Sequence, residues 1–413
     1  MALEANRLDL DWLREGELAR ILALLDCDGE EARVVGGAVR NALLREPLGD
    51  IDVATTALPQ EVVRRVEAAG FKAVPTGLEH GTITVVAAGQ PFEVTTLRED
   101  VETDGRRAKV EFGRDWRRDA ERRDFTMNAL FLSRNGTVHD YVGGLADVAD
   151  RRVRFIGDAA TRIAEDYLRI LRFFRFHAAY GHGGLPDAQG LHACIVARAG
   201  LETLSRERVR MEMLKLMLAR HAVPALAVMA ETGLIEMVLG GVPQLASLSN
   251  LIKLEASLSL PADPARRLGA LGVLVTEDAE RLRERLRLTN AESERLASMG
   301  EAWWRIVAAT SEQAARALLY RLGSQKYLDR VLLAWSRAPE GVTDPHWHAL
   351  ATLPARWRAP VFPLRAADFM ARGIEKGPRL GAAMRAAEEA WIEAEFPLER
   401  DALARIADAV ARI

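Results

Sequence analysis

Val35-Gly36-Gly37-Ala38-Val39-Arg40, followed ten residues after Arg40 by Asp50-Ile51-Asp52, is the stretch on which the reading of this chain turns. Arg33-Val34-Val35 reads as a short buried strand, and Ala38 to Leu44 as a helix whose first N–H groups can face a phosphate. Residues two apart in a strand share a face, so Asp50 and Asp52 are expected to present their carboxylates side by side. Oxygen ligands of this kind suit magnesium, which takes one or two carboxylates and leaves its other positions to water and substrate phosphates. Taken alone, Asp-x-Asp is also an ordinary turn with two solvated acids. The Gly-Gly helix start upstream favours metal-dependent chemistry on a nucleoside triphosphate.

Two-metal phosphoryl transfer usually draws on a third carboxylate near the first pair. Glu93, in Pro91-Phe92-Glu93-Val94-Thr95-Thr96, lies in a strand-like run and could supply it, or equally be a surface glutamate on an edge strand. A second dense segment is Arg122-Arg123-Asp124-Phe125-Thr126-Met127-Asn128-Ala129-Leu130. Its two arginines can clamp phosphate oxygens while Thr126 and Asn128 brace a turn. The plainer alternative is a salt-bridged helix start using Asp119, Glu121 and Asp124.

The third segment is Glu165-Asp166-Tyr167-Leu168-Arg169, continued by Arg172 and Arg175. The apolar stripe Ile163, Tyr167, Ile170, Phe174 puts all of it on one expected helix. There Asp166 and Arg169 are neighbours, and an intrahelical ion pair is their plain reading. The alternative starts from base edges. Cytosine and adenine each show an amino donor beside a ring-nitrogen acceptor, which an aspartate and an arginine complement. Uracil and guanine show the opposite polarity, so one Asp–Arg pair would accept CTP and ATP and reject UTP and GTP.

At 413 residues, with 49% hydrophobic and 28% charged residues, the chain has the composition of a globular protein of several domains. No apolar run approaches a membrane span, and Met1 to Arg14 is amphipathic and acidic rather than signal-like. Cys27 and Cys194 offer neither a disulfide framework nor a zinc set, and a cytoplasmic location is the default. Lysine stands only at Lys72, Lys109, Lys215, Lys253, Lys326 and Lys376. That arginine bias fits a GC-rich genome as well as bidentate phosphate contacts. His80 reads as a structural hydrogen-bonding residue, His177, His182 and His192 lack ligand spacing, and Trp303, Trp304, Trp335, Trp347 and Trp357 read as core.

Up to about residue 155 helix and strand signals mix. A helix is expected at Leu10–Leu25, short strands at Ile51–Thr55, Thr82–Ala87 and Phe92–Leu97, a loop from Glu99 to Gly113, and renewed helix and strand signals through Phe125–Leu132 and Val138–Tyr141. Beyond Ile156 the pattern is almost wholly helical, with helices expected at Ser205–Arg220, Pro224–Thr232, Pro264–Val275, Ala291–Val307, Ser311–Leu322 and Leu380–Ile392. Proline-rich stretches at Pro339–Pro345 and Pro354–Pro363 read as seams.

Assembled, these motifs closely resemble the class II CCA-adding enzymes, tRNA nucleotidyltransferases of the polymerase-β-like superfamily. Gly36 to Arg40 with Asp50-Ile51-Asp52 looks like that family's catalytic motif, and Asp100 to Gly113 like its flexible loop. Arg122 to Leu130 is similar to its head–neck motif. Glu165-Asp166-Tyr167-Leu168-Arg169 matches the amino-acid template that selects the base, and Leu204-Ser205-Arg206-Glu207-Arg208, with Glu212 and Lys215, resembles the last neck motif. The likeness covers residues 33 to 218 in the family's order, and Gly377-Pro378-Arg379-Leu380-Gly381 fits the tail of bacterial members.

The resemblance implies an α+β fold: a polymerase-β-like nucleotidyltransferase head with a small mixed sheet (1–155), then an all-α neck (156–235), body (236–335) and tail (336–413). It implies addition of C, C and A to the tRNA 3′ end from CTP and ATP, without a nucleic-acid template and with release of pyrophosphate. Asp50 and Asp52 would bind Mg2+, with Glu93 completing the catalytic acids. Gly36, Gly37, Arg40 and Arg123 would hold the triphosphate, Asp166 and Arg169 would read the base, and Arg172 and Arg175 would support them. The tRNA acceptor arm would lie along body and tail. Two positions depart from the family pattern: Asn41 where aspartate is common, and Arg107 where histidine is. Poly(A) polymerase is the nearest rival, but its Gly-Arg-Arg-Phe segment is replaced here by Leu78-Glu79-His80-Gly81-Thr82. An A-adding enzyme and a non-catalytic RNA-binding protein are further alternatives.

Overall fold

The computed structural model describes residues 7–77, 81–103 and 108–412, with 99–103 and 108–110 as backbone only. His80 and Asp104 to Arg107 lie outside the described residues. The chain divides into two compact units, Met1–Gly240 with Arg285–Arg287, and Gly241–Glu284 with Leu288–Ile413.

The first unit is built on strands β1 (Ala32–Val35), β2 (Asp52–Thr55), β3 (Lys72–Gly77), β4 (Thr82–Ala87), β5 (Gln90–Thr96), β6 (Arg98–Thr103), β7 (Ala108–Phe112), β8 (Leu130–Ser133) and β9 (Val138–Asp140). Seven of them form one mixed sheet in the order β3-β4-β5-β2-β1-β8-β9. Its pairs are antiparallel except β2 with β5, which run parallel and set Asp52 opposite Glu93. β6 and β7 pair separately as an antiparallel ladder. The expected loop from Glu99 to Gly113 is therefore strand over much of its length; its charged sequence lacks the apolar alternation by which a strand is read.

Helices α1 (Asp11–Arg14), α2 (Gly16–Leu25), α3 (Gly37–Leu44), α4 (Pro59–Ala68), α5 (Trp116–Glu121) and α6 (Gly144–Ala149) surround the sheet. The helix expected over Leu10–Leu25 is interrupted because Glu15 is extended and Gly16 has φ +85°. Then follow α7 (Ala159–Glu165), α8 (Leu168–Tyr180), α9 (Ala188–Val196), α10 (Arg206–Met217), α11 (Ala222–Glu231) and α12 (Leu234–Leu239). The single helix expected across Asp166 is in fact α7 and α8. Asp166 is extended, at φ −158° and ψ 105°, and its carboxylate accepts the Leu168 N–H at 3.1 Å. An aspartate that bonds local backbone in this way competes with helix continuation and opens a new helix instead. Ile163, Ile170 and Phe174 are nonetheless fully buried, so the apolar stripe continues across the break.

The second unit is helical: α13 (Leu245–Ser257), α14 (Pro264–Gly272), α15 (Thr276–Leu286), α16 (Asn290–Gly300), α17 (Glu312–Ser336), α18 (Pro345–Arg356), α19 (Ala366–Met370), α20 (Pro378–Glu393) and α21 (Arg400–Ala411). The helix expected over Ala291–Val307 stops at Gly300, where a Cβ would meet the Val275 carbonyl at 2.6 Å. Gly323, at φ +73°, kinks α17 where the sequence pattern ends a helix. Pro354 lies inside α18, so the expected break over Pro354–Pro363 begins only after Arg356. Trp335 and Trp347 stack in the core, as expected, with ring centroids 6.2 Å apart. Trp304 departs from that expectation at 53% exposed. Among the described residues, no helix is long and apolar enough to cross a membrane.

Candidate active site

β1 ends at Val35, and the chain reverses at Gly36 to enter α3. Gly36 sits at φ +74°, ψ −123°, a conformation few other residues accept. Its N–H donates to the Leu130 carbonyl at 3.1 Å, tying the turn to β8. Val35 pairs with Asp52 across the β1–β2 ladder, so the glycine turn and the first residue of β2 share one end of the sheet. Asp50 precedes β2 in an exposed loop, so the strand argument for its alignment with Asp52 does not hold as stated.

The three acids still converge electrostatically. Burial, then Glu93, opposed by Arg123, and finally Asp50 leave the Asp52 pKa raised to about 6. None of the ion pairs among the described residues uses Asp50, Asp52 or Glu93. Around them nearly every other buried acid is paired: Asp119 with Arg122 and Arg123, Asp124 with Arg172, Glu212 with Arg175. Among the described residues no three metal-ligating side chains converge as a ready-made cage.

Asp50 and Asp52 belong to the lining of a cavity of about 670 Å³. Of the residues singled out from sequence, Gly36, Gly37, Arg40, Asp50, Asp52, Arg123, Asp166, Arg169 and Arg172 line it. Glu93 stands on the neighbouring strand outside the lining, and Arg175 is turned to Glu212. The cavity thus brings together segments more than a hundred residues apart.

A chain of hydrogen bonds fixes its wall. Arg172 Nε donates to Asp124 at 2.8 Å, and Asn128 Nδ2 donates to the same carboxylate at 3.2 Å. Burial opposes the Asp124 charge, but Arg172 and three hydrogen bonds outweigh it and hold the pKa below the usual carboxylate value. Asn128 Oδ1 in turn accepts from Arg40 Nη1 at 2.5 Å. Arg40 is only 5% exposed, donates to Tyr180 Oη at 2.6 Å and lies 3.8 Å above the Tyr180 ring. Burial pushes its pKa down to about 10, so it stays cationic at neutral pH. With most of its donors used, Arg40 braces the wall and supplies charge more than it offers free N–H groups. Thr126 is held from behind: its hydroxyl donates at 2.5 Å to Asp147, which is fully buried and also accepts from Arg152 and Arg154.

The ion pair read from Asp166 and Arg169 is absent. Asp166 accepts from Arg208 on α10 at 2.6 Å, and Arg169 Nη1 donates to Glu165 and to the Arg162 carbonyl. Arg169 Nε and Nη2 make no hydrogen bond among the described residues, and each Asp166 oxygen retains a lone pair. An acceptor and a two-pronged donor therefore stand one turn apart on the cavity lining, each already oriented by another residue. Sequence reasoning missed the Arg208 partnership, which depends on how α8 and α10 pack.

Residues 32–154 match the poly A polymerase head domain, and residues 191–248 match a segment described as the probable RNA and SrmB binding site of polymerase A. Mitochondrial CCA tRNA nucleotidyltransferase 1 of Mus musculus is 33% identical over 393 residues, 94% of this chain and 88% of its own length. The chain belongs to the CCA-adding tRNA nucleotidyltransferases. The CCA-adding enzyme of Limosilactobacillus fermentum is 32% identical over 398 residues, 95% of this chain and 96% of that protein. Among solved structures, the Bacillus stearothermophilus CCA-adding enzyme in complex with CTP is 28% identical with a TM-score of 0.75, covering 94% of this chain and 96% of that one. In this CCA-adding chain the Asn41 departure is absorbed locally. Asn41 Oδ1 accepts from Arg40 at 2.9 Å while its Nδ2 donates to the Pro47 carbonyl at 2.8 Å, a second bond that an ionised aspartate could not donate.

Proposed function

We propose that this chain adds C, C and A to the 3′ end of tRNA from CTP and ATP, with Asp50 and Asp52 as the reacting centre and Asp166 and Arg169 as the base reader. One observation carries the reading: a single cavity is lined both by two acids that form no ion pair among the described residues and by a pre-oriented acceptor and donor. The donor set suits magnesium, being oxygen-only, unpaired with any cation among the described residues, and open toward the space a triphosphate would fill. Asp50 and Asp52 would hold magnesium, with Glu93 as the third acid, and the bound ion would supply activation of the attacking 3′-hydroxyl and neutralisation of the departing pyrophosphate.

The residues of the chain do the positioning. The N–H groups at the start of α3 and the Arg123 guanidinium meet the phosphates. Asp166 accepts from the amino group of cytosine or adenine, and the free Arg169 donors meet the adjacent ring nitrogen. A uracil or guanine would set carbonyl against carboxylate and N–H against guanidinium, so both are rejected. The reading keeps the division into head, neck, body and tail at 155, 235 and 335, and a cytoplasmic location. Its test is Asp52→Asn, which should abolish pyrophosphate release while tRNA binding by gel shift persists. Near-normal turnover would overturn the metal assignment.

A further inference from the structure

The cavity is lined by cations, and nearly all are engaged. Arg122 and Arg123 bind Asp119, Arg169 binds Glu165, Arg172 binds Asp124 and Arg208 binds Asp166. Arg40 spends its donors on neutral groups and is buried.

Lys215 is different. It lines the same cavity from α10, is exposed, and forms no ion pair among the described residues. Its helix neighbours offer no compensation. Met211 and Ala219 stand four residues away on either side, and Glu212, three before it, is 6% exposed and engaged by Arg175 and Arg172. Arg208, Glu212 and Lys215 follow the spacing i, i+4, i+7, so one face of α10 carries all three. The first holds the base-reading Asp166, and the second holds two arginines of α8. The third has no partner to hold among the described residues. It stands about 10 Å further along the helix axis than Arg208.

We infer that Lys215 is a phosphate-binding residue of the nucleotidyl-transfer cavity, its ammonium taking a phosphate oxygen of a substrate at the end remote from Asp166. Lysine suits this as a point charge that needs no fixed fork geometry. Two substrates carry such phosphates, the triphosphate of CTP or ATP and the phosphodiester backbone at the tRNA 3′ end. This inference rests on the proposed reading of the cavity.

The test is steady-state kinetics of the full-length wild type, Lys215→Ala and Lys215→Arg, with magnesium, CTP, ATP and a tRNA lacking its CCA end. Lys215→Ala is expected to raise one KM roughly 10- to 100-fold, the worth of one charge-assisted hydrogen bond, with a smaller change in kcat. Lys215→Arg should recover most of the loss, and neither variant should shift the Tm, since the side chain is exposed. A rise confined to the KM of CTP and ATP assigns the triphosphate. A rise confined to the KM of tRNA, with a shallower salt dependence of tRNA binding, assigns the backbone phosphate. Both KM values of Lys215→Ala within twofold of wild type would overturn the inference. Failure of the wild type itself to add C would instead overturn the reading on which it rests.

Discussion

The Arg208 guanidinium donates a hydrogen bond to the Asp166 carboxylate at 2.6 Å, bridging 42 residues of sequence. This contact orients the Asp166 carboxylate, the acceptor of the proposed base reader, in the nucleotide-free chain. Arg208→Ala should leave that carboxylate free to turn, and the ratio of kcat/KM for CTP over UTP should fall roughly 10- to 100-fold. Single-nucleotide incorporation assays with each triphosphate would measure it. An unchanged ratio would mean that the contact serves stability alone.

Asp52 provides a prediction whose sign can be worked out. Its pKa is raised to about 6 in the folded chain, so between its unfolded value and that pH the native state binds the extra proton. Without magnesium, stability should therefore decline as pH rises through this window. Asp52→Asn removes the desolvated charge and should raise the Tm at pH 8 in the presence of EDTA. Well below its unfolded value of about 3.9, where Asp52 is protonated in both states, the gain should vanish. Thermal melts across pH would read both limits.

Magnesium should reverse that order. If it binds the native acids and not the unfolded chain, as proposed, millimolar additions should raise the wild-type Tm and leave Asp52→Asn unmoved. Calorimetry on both proteins distinguishes this from general salt screening, which affects the two alike.

Gly36→Ala tests the turn that opens α3. The φ of +74° and ψ of −123° make an alanine there strained by about 1–3 kcal/mol. Its Cβ would also sit 3.7 Å from the Asn128 carbonyl, within ordinary contact, so strain and not collision is the main effect. Nucleotide KM should rise as the amides at the start of α3 lose alignment, which kinetics beside a urea melt would resolve.

Asp147→Asn is expected to weaken the head from a position outside the cavity. The carboxylate is fully buried between Thr126, Arg152 and Arg154, and loss of a buried ionic partner costs about 3 kcal/mol. Urea unfolding should show the loss.

The glycine turn, the acids and the order of the site motifs were legible because each is local: a few neighbouring residues carry the signal. So was the apolar stripe through Ile163, Ile170 and Phe174. The break at Asp166 was not, because that stripe runs unbroken across it while a single Asp–backbone hydrogen bond divides the helix. Nor were the partnerships of Arg40 with Asn128 and Tyr180, which join residues 88 and 140 positions apart. Arginine can bond nearly any acid, amide or carbonyl, so its sequence position alone does not choose the partner; packing of α3, α8 and the Thr126 turn does.

The central claim, a protein-templated choice of C then A at one pair of catalytic acids, is tested most directly by sequencing products. A tRNA lacking its CCA end is incubated with the enzyme, magnesium and all four nucleoside triphosphates, and the new 3′ ends are read. The predicted result is C-C-A and then termination, with no product from Asp52→Asn. A homopolymer of A, addition of A alone, or free incorporation of U and G would contradict it.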